Sequence, residues 1–206
     1  MKLKVCGITS ISQSEELLHL NVDFLGFIFY SKSPRYVLNK LSLKEISEIN
    51  HPNKIGVFVN EDIDFVVRIV KEANLNFIQL HGDEKLDYIE ELKSKIESQI
   101  NIIKVIRIGN SVPDFETFNR SSFIDYLLFD TDSQAFGGTG KSFEWNLLNK
   151  VKIKKPYFLS GGISEENINE VSDLKIQPFA LDINSKFEIS PGNKDTTKIQ
   201  RFKKHL

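Results

Sequence analysis

The chain has 206 residues, with 27 Lys and Arg against 28 Asp and Glu, a formal charge of −1, and 40% hydrophobic against 27% charged residues. This is the composition of one soluble globular domain, long enough to bury a core without staples. Near-zero charge speaks against a general nucleic-acid or anionic-membrane binder, and a single cysteine excludes an internal disulfide framework or a multi-Cys metal site.

The predicted elements alternate from end to end. A strand over Leu3–Cys6 ends in Cys6-Gly7-Ile8-Thr9 and leads to a helical pattern over 13–20. The second strand, Phe24–Phe29, runs into Ser31-Lys32-Ser33-Pro34-Arg35-Tyr36 and a helix over 42–50, where Ser42 and Glu45 have capping-box spacing. Ile55–Val59 precedes the stripe Ile63, Val66, Val67, Val70, Ala73. Phe77–Leu80 ends Gln79-Leu80-His81-Gly82 and precedes a helix over 86–96; Ile102–Ile106 precedes one over 113–119. Tyr126–Asp130 runs through Gly137-Gly138-Thr139-Gly140-Lys141 into a helix over 143–151. Tyr157–Ser160 opens on Gly161-Gly162, with a helix over 165–171 capped by Ser164. Pro178–Asp182 leads through Asn184-Ser185-Lys186 to a last helix over 194–205.

The strands are nearly continuous apolar runs, as expected of parallel strands covered on both faces. Eight strands and eight helices in alternation predict an α/β fold, a single-domain (β/α)₈ barrel spanning 1–206. The alternative, an open doubly wound sheet, usually carries a GxGxxG turn after its first strand, and none is present. In a barrel, chemistry sits at the C-terminal ends of the strands. The opening MKLKVCGITS has no signal-peptide run, and the longest apolar stretch, Phe24–Tyr30, is too short for a membrane span, so a cytoplasmic protein is expected.

Polar and glycine residues concentrate at those ends, and each has two readings. Cys6 is a nucleophile or base, or a small buried hydrophobe. Asp130 is an acid, or a turn former after Leu127-Leu128-Phe129. Arg35 contacts a ligand or makes a surface ion pair. His81 shares a face with Gln79 and is a substrate contact or a hydrogen-bonded structural histidine. Gly161-Gly162 ahead of a helix start would cradle a phosphate with backbone N–H groups and the helix dipole, or form an ordinary turn.

Taken together, these segments resemble the phosphoribosylanthranilate isomerase family. The resemblance rests on Lys4-Val5-Cys6-Gly7-Ile8-Thr9, Gly26-Phe27-Ile28-Phe29, Ser33-Pro34-Arg35-Tyr36, Gly56-Val57-Phe58-Val59-Asn60 and Gln79-Leu80-His81-Gly82. It continues through Leu128-Phe129-Asp130-Thr131, Gly137–Phe143, Ser160-Gly161-Gly162 and Pro191-Gly192-Asn193-Lys194-Asp195, in order over the whole chain. It implies a (β/α)₈ enzyme of tryptophan biosynthesis that opens a phosphoribosylated anthranilate by an Amadori rearrangement, without metal or organic cofactor. It also implies a small phosphorylated substrate, no nucleic-acid or membrane partner, and a monomer or homodimer.

By the same resemblance Cys6 is the general base, Asp130 the general acid, and Arg35 the contact to the anthranilate carboxylate. The phosphate loops fall on Gly161, Gly162 and the Asn184-Ser185 region; from the residues themselves, His81 is a candidate substrate contact and Lys186 a candidate to meet the phosphate by its charge. One departure stands out: Asp182-Ile183-Asn184-Ser185-Lys186-Phe187-Glu188 has Lys186 where the family has glycine and Asn184 where it has serine. The related isomerase of histidine biosynthesis generally has an aspartate where Cys6 stands, so Cys6 separates the two readings. A catalytically silent phosphate-binding barrel would not need Cys6, Arg35 and Asp130 together.

Overall fold

In the computed structural model, residues 1–132 and 142–206 are described. The short apolar runs become strands because both of their faces are covered. They are β1 (Lys2–Cys6), β2 (Phe24–Ile28), β3 (Lys54–Phe58), β4 (Phe77–Leu80), β5 (Asn101–Ile108), β6 (Tyr126–Thr131), β7 (Tyr157–Leu159) and β8 (Ala180–Ile183). All neighbours pair in parallel, and β8 returns to pair with β1, placing Lys4 beside Asp182 and closing an eight-stranded barrel. The single-domain (β/α)₈ barrel expected from the alternation is the observed fold.

Alternation along each strand divides the side chains between two cores. Phe24, Ile55, Phe77, Ile103, Leu128, Phe158 and Ala180 fill the barrel itself. There Phe24 meets the edges of Phe77 and Phe158, with ring centres 5.5 and 5.3 Å apart. The intervening residues, such as Leu3, Val5, Leu25 and Phe27, pack outward against the helices.

Six α-helices cover that outer face: α1 (Ile11–His19), α2 (Leu43–Glu48), α3 (Ile63–Glu72), α4 (Leu86–Lys95), α5 (Glu116–Arg120) and α6 (Thr196–Lys203). The Ser42–Glu45 capping box at the start of α2 forms with both of its hydrogen bonds. Two expected helices are different. After β6 and β7 the chain forms 3₁₀ helices, Trp145–Lys150 and Ile168–Asp173. The buried residues there recur every third position, Trp145 with Leu148 and Ile168 with Val171 and Leu174, and three-residue turns align such a spacing on one face. Another addition was not legible as an element: between β8 and α6 a small antiparallel hairpin forms from β9 (Glu188–Ser190) and β10 (Asn193–Lys194). It turns at Pro191-Gly192, and α6 starts only after it, capped by Asp195.

Candidate active site

Four strands carry polar groups into an otherwise apolar barrel, and a buried charge there must find partners. Lys4 of β1 is fully enclosed; its Nζ donates to Asp182 Oδ2 of β8 and to Gln79 Oε1 of β4, each at 2.7 Å. Gln79 Nε2 lies 3.0 Å from His81 Nδ1, so the face expected to be shared by the two residues is shared. His81 Nε2 in turn faces Asp130 Oδ2 of β6 at 3.3 Å, within ion-pair distance but off the line of a hydrogen bond.

The pairing fixes the histidine tautomer by elimination. An ammonium only donates, so Gln79 must turn its oxygen to Lys4 and its nitrogen to His81. That nitrogen also only donates, so Nδ1 accepts and the neutral ring carries its proton on Nε2, toward Asp130.

Cys6 ends β1 two residues beyond Lys4 and points the same way, 5% exposed. Its partner across the β1–β2 ladder is Gly26, where a Cβ would stand 3.0 Å from the Cys6 sulfur. The bare glycine thus leaves the thiol its space. Burial pushes the Cys6 thiol up and the Asp182 charge adds to this, while the Lys4 and Lys194 ammonium groups pull it down; the net direction is up.

Asp130 ends the inward face of β6 and is also buried; its Oδ1 accepts the Thr131 N–H at 2.8 Å. Gly161 sits against it with φ of +87°. A Cβ at Gly161 would collide with Thr131 and lie 3.3 Å from Asp130 Oδ1, so only glycine lets the end of β7 close on the carboxyl.

Arg35, in the loop after β2, makes an ion pair, but not at the surface. Only 8% exposed, it places Nε at 2.9 and 3.0 Å and Nη2 at 2.6 Å from the Glu188 carboxylate. Lys194 joins the same carboxylate at 2.6 Å and also donates to Asn184 Oδ1 at 2.8 Å. Burial alone would push the Glu188 carboxyl up, yet Arg35 and Lys194 hold it below the usual range. Arg35 Nη1 stays outside the pair, and the Arg35 stem passes beside Gly7, next to Cys6.

On the opposite rim the glycine pair has the φ values of a tight turn, +87° at Gly161 and +76° at Gly162, but no α-helix begins after it. The expected helix dipole is therefore missing. Asn167 accepts the Ser164 N–H and donates to the Gly162 carbonyl, closing a local turn where the helix was expected. Asn184 and Ser185 open a one-turn 3₁₀ helix, Ser185–Phe187, and the Asn184 oxygen is taken by Lys194. Lys186 is exposed in that turn, without positive φ. The loop Gly137-Gly138-Thr139-Gly140-Lys141 lies outside the described residues. Among the described residues no group of three His, Cys, Asp or Glu is placed to hold a metal ion.

Sequence reading passed over Lys4, Gln79, Asp182, Glu188 and Lys194 as working groups. Lys4 and Asp182 carried a usable signal, a lone charge inside an apolar strand. Glu188 and Lys194 stood inside segments compared with the family pattern, but no local pattern showed that the hairpin brings them to Arg35.

The family model for N-(5'phosphoribosyl)anthranilate (PRA) isomerase matches residues 3–205. An N-(5'-phosphoribosyl)anthranilate isomerase from Staphylococcus aureus is 37% identical over 201 residues, covering 97% of this chain and 93% of the relative. The crystal structure of monomers of the dimeric phosphoribosylanthranilate isomerase from Thermotoga maritima superposes with a TM-score of 0.81 at 30% identity, over 99% of this chain and 97% of the other. A phosphoribosylanthranilate isomerase in complex with reduced 1-(o-carboxyphenylamino)-1-deoxyribulose 5-phosphate gives 0.80 at 29%, over the whole of both chains.

Proposed function

The chain belongs to the phosphoribosylanthranilate isomerase family, and we propose that its isomerisation runs through Cys6 as general base and Asp130 as general acid. The substrate is N-(5'-phosphoribosyl)anthranilate and the product 1-(2-carboxyphenylamino)-1-deoxyribulose 5-phosphate, in tryptophan biosynthesis. The observation that carries the residue assignment is that Cys6 and Asp130, on β1 and β6, end on the inward face of one barrel mouth, with a buried polar chain running from Lys4, two residues before Cys6, through Gln79 to the His81 that faces Asp130.

The chemistry needs two proton movements. The Asp130 carboxyl gives a proton to the ribose ring oxygen as its bond to C1 breaks, and the anthranilate nitrogen supplies the electron pair, leaving a Schiff base. The C2 proton is then acidic, and the Cys6 thiolate removes it. The resulting enaminol loses its hydroxyl proton and gains one at C1, giving the ketone, so nothing is oxidised or reduced overall. Proton transfer alone completes the reaction, with no cofactor.

Around the reacting carbons, Arg35 offers Nη1 to the anthranilate carboxylate while Glu188 holds the rest of its fork. His81 directs its Nε2–H at Asp130 and the sugar beside it. The phosphate falls between the Gly161-Gly162 turn and Asn184-Ser185-Lys186, where Asn184 can offer only its amide nitrogen. A cytosolic setting suits an enzyme whose base is a free thiol, and among the described residues no helix is long and apolar enough to cross a membrane. Monomer or homodimer is decided by light scattering; a relative from Thermotoga maritima is described as dimeric.

Loss of anthranilate fluorescence on freshly made phosphoribosylanthranilate measures the activity. Cys6→Ala and Asp130→Asn are each expected to lower kcat by about 10²–10⁴-fold with KM changed little. A Cys6→Ala enzyme that keeps more than about a third of kcat removes the thiol from the mechanism.

A further inference from the structure

The barrel interior holds a charged side chain, Lys4, that sits two residues before Cys6 on one strand, is tied through Gln79 to the His81 that faces Asp130, and has no assigned part in the reaction. Lys4 is completely buried, a position a lysine takes only with partners. One partner, Asp182, neutralises it, but the lysine has more contacts than a neutralising pair requires. Its side chain enters the barrel on the same face as that of Cys6, two residues on, and its ammonium grips the Gln79 oxygen.

We propose that Lys4 is a positioning residue for both halves of the reaction, its ammonium holding the Cys6 thiolate and its grip on Gln79 presenting His81 Nε2–H to Asp130.

The argument rests on Cys6 being the base, and on geometry first. Cys6 and Lys4 lie two apart on one strand, so their side chains enter the barrel on the same side. An apolar barrel without a cation there would disfavour a thiolate, because burial raises the cost of the charge. The charges that act on the thiol are those of Lys4 on its own strand, Asp182 on β8 and Lys194 on β10. Their effects have opposite signs: the two lysines favour the thiolate and Asp182 opposes it. Asp182 instead keeps Lys4 in place, leaving its own Oδ1 without a hydrogen-bond partner among the described residues. The second half follows from donor and acceptor chemistry. If Lys4 were replaced by an apolar side chain, the Gln79 amide could turn over and offer its oxygen to Nδ1. His81 would then put its proton on Nδ1 and turn a lone pair toward Asp130.

Cys6 is the sole cysteine, so the pH dependence of alkylation by iodoacetamide reads this one thiol without any substrate. In Lys4→Met the pH–rate curve should move up by about one unit or more, a roughly tenfold slower reaction near pH 8, since a close opposite charge typically shifts a group by 1–3 units. Asp182→Asn should move it down. Opposite movements from the two ends of one ion pair are not produced by general loosening of the barrel. If Lys4→Met fails to fold, Lys4→Met/Asp182→Asn is compared with Asp182→Asn alone, and the same upward movement is expected. Gln79→Met should leave the alkylation curve in place while lowering kcat at constant KM.

A curve that does not move on removing Lys4 overturns the hold on Cys6, and an unchanged kcat in Gln79→Met overturns the link to His81. Neither result touches the assignment of the base, which is decided by the activity of Cys6→Ala.

Discussion

Arg35 illustrates how one side chain serves two ends. Its fork is already half used by Glu188, so Arg35→Met removes a substrate contact and one of two cations from a buried carboxylate. A charge-assisted contact is worth roughly 1.5–3 kcal/mol, so kcat/KM should fall about tenfold or more, mainly through KM. The melting temperature should fall as well, because the buried Glu188 carboxylate loses one of its two cations and keeps Lys194 and the Gly192 N–H. Constants within about twofold of the parent, with a lower melting temperature, would leave Arg35 a purely structural ion pair. Lys186 is the opposite case, exposed at the rim. If its ammonium serves the phosphate, Lys186→Met raises KM about threefold, and the rise of KM with salt becomes flatter because exposed charge pairs are screened. Equal KM values with parallel salt curves for the two proteins would return phosphate binding to Ser185, Asn184 and the backbone.

Among the elements, α2 is a short helix whose start is fixed by a complete capping box. Ser42→Ala removes the acceptor for the Glu45 N–H and should cost about 1 kcal/mol, a fall of about 2–4 °C in melting temperature for a chain of this length. Activity below the transition should be unchanged, since the hydrogen bonds lost join only Ser42 and Glu45; calorimetry and the fluorescence assay check the two halves of this statement. The 3₁₀ helices after β6 and β7 show the other influence on local structure. Six residues with apolar side chains three apart do not distinguish a period of 3.0 from one of 3.6, so packing onto the barrel chooses.

Across the molecule, the hairpin and the loop after β2 are held together by charges at Glu188, Arg35 and Lys194. This arrangement predicts a sensitivity to acid whose sign can be worked out. The folded Glu188 carboxyl lies below its unfolded value of about 4.3, so its charged form stabilises the fold. That contribution is complete above the unfolded value and is lost as pH falls through the folded one. Glu45 and Glu166, held low by Ser42 and Ser164, act in the same direction. Melting temperature should therefore decline as pH is lowered below about 5, and the decline should be shallower in Glu188→Gln. Parallel declines in the two proteins would mean that Glu188 is not part of the acid response.

The sequence by itself determined the barrel and most of its mouth. Doubly apolar strands in alternation with amphipathic helices leave few other ways to cover both faces of each strand. Strand polarity then places Cys6, Asp130 and the glycine turn at Gly161 at one end, and the two-residue period puts Gln79 beside His81. Only the tertiary structure decided which charges meet. Lys4 and Asp182 are 178 residues apart and become neighbours because β8 closes on β1. Arg35 and Glu188 are 153 apart and meet because the hairpin folds back over the mouth. A local pattern records which face a side chain occupies, but the partner of a buried charge depends on ring closure and loop path, which bring together residues from opposite ends of the chain.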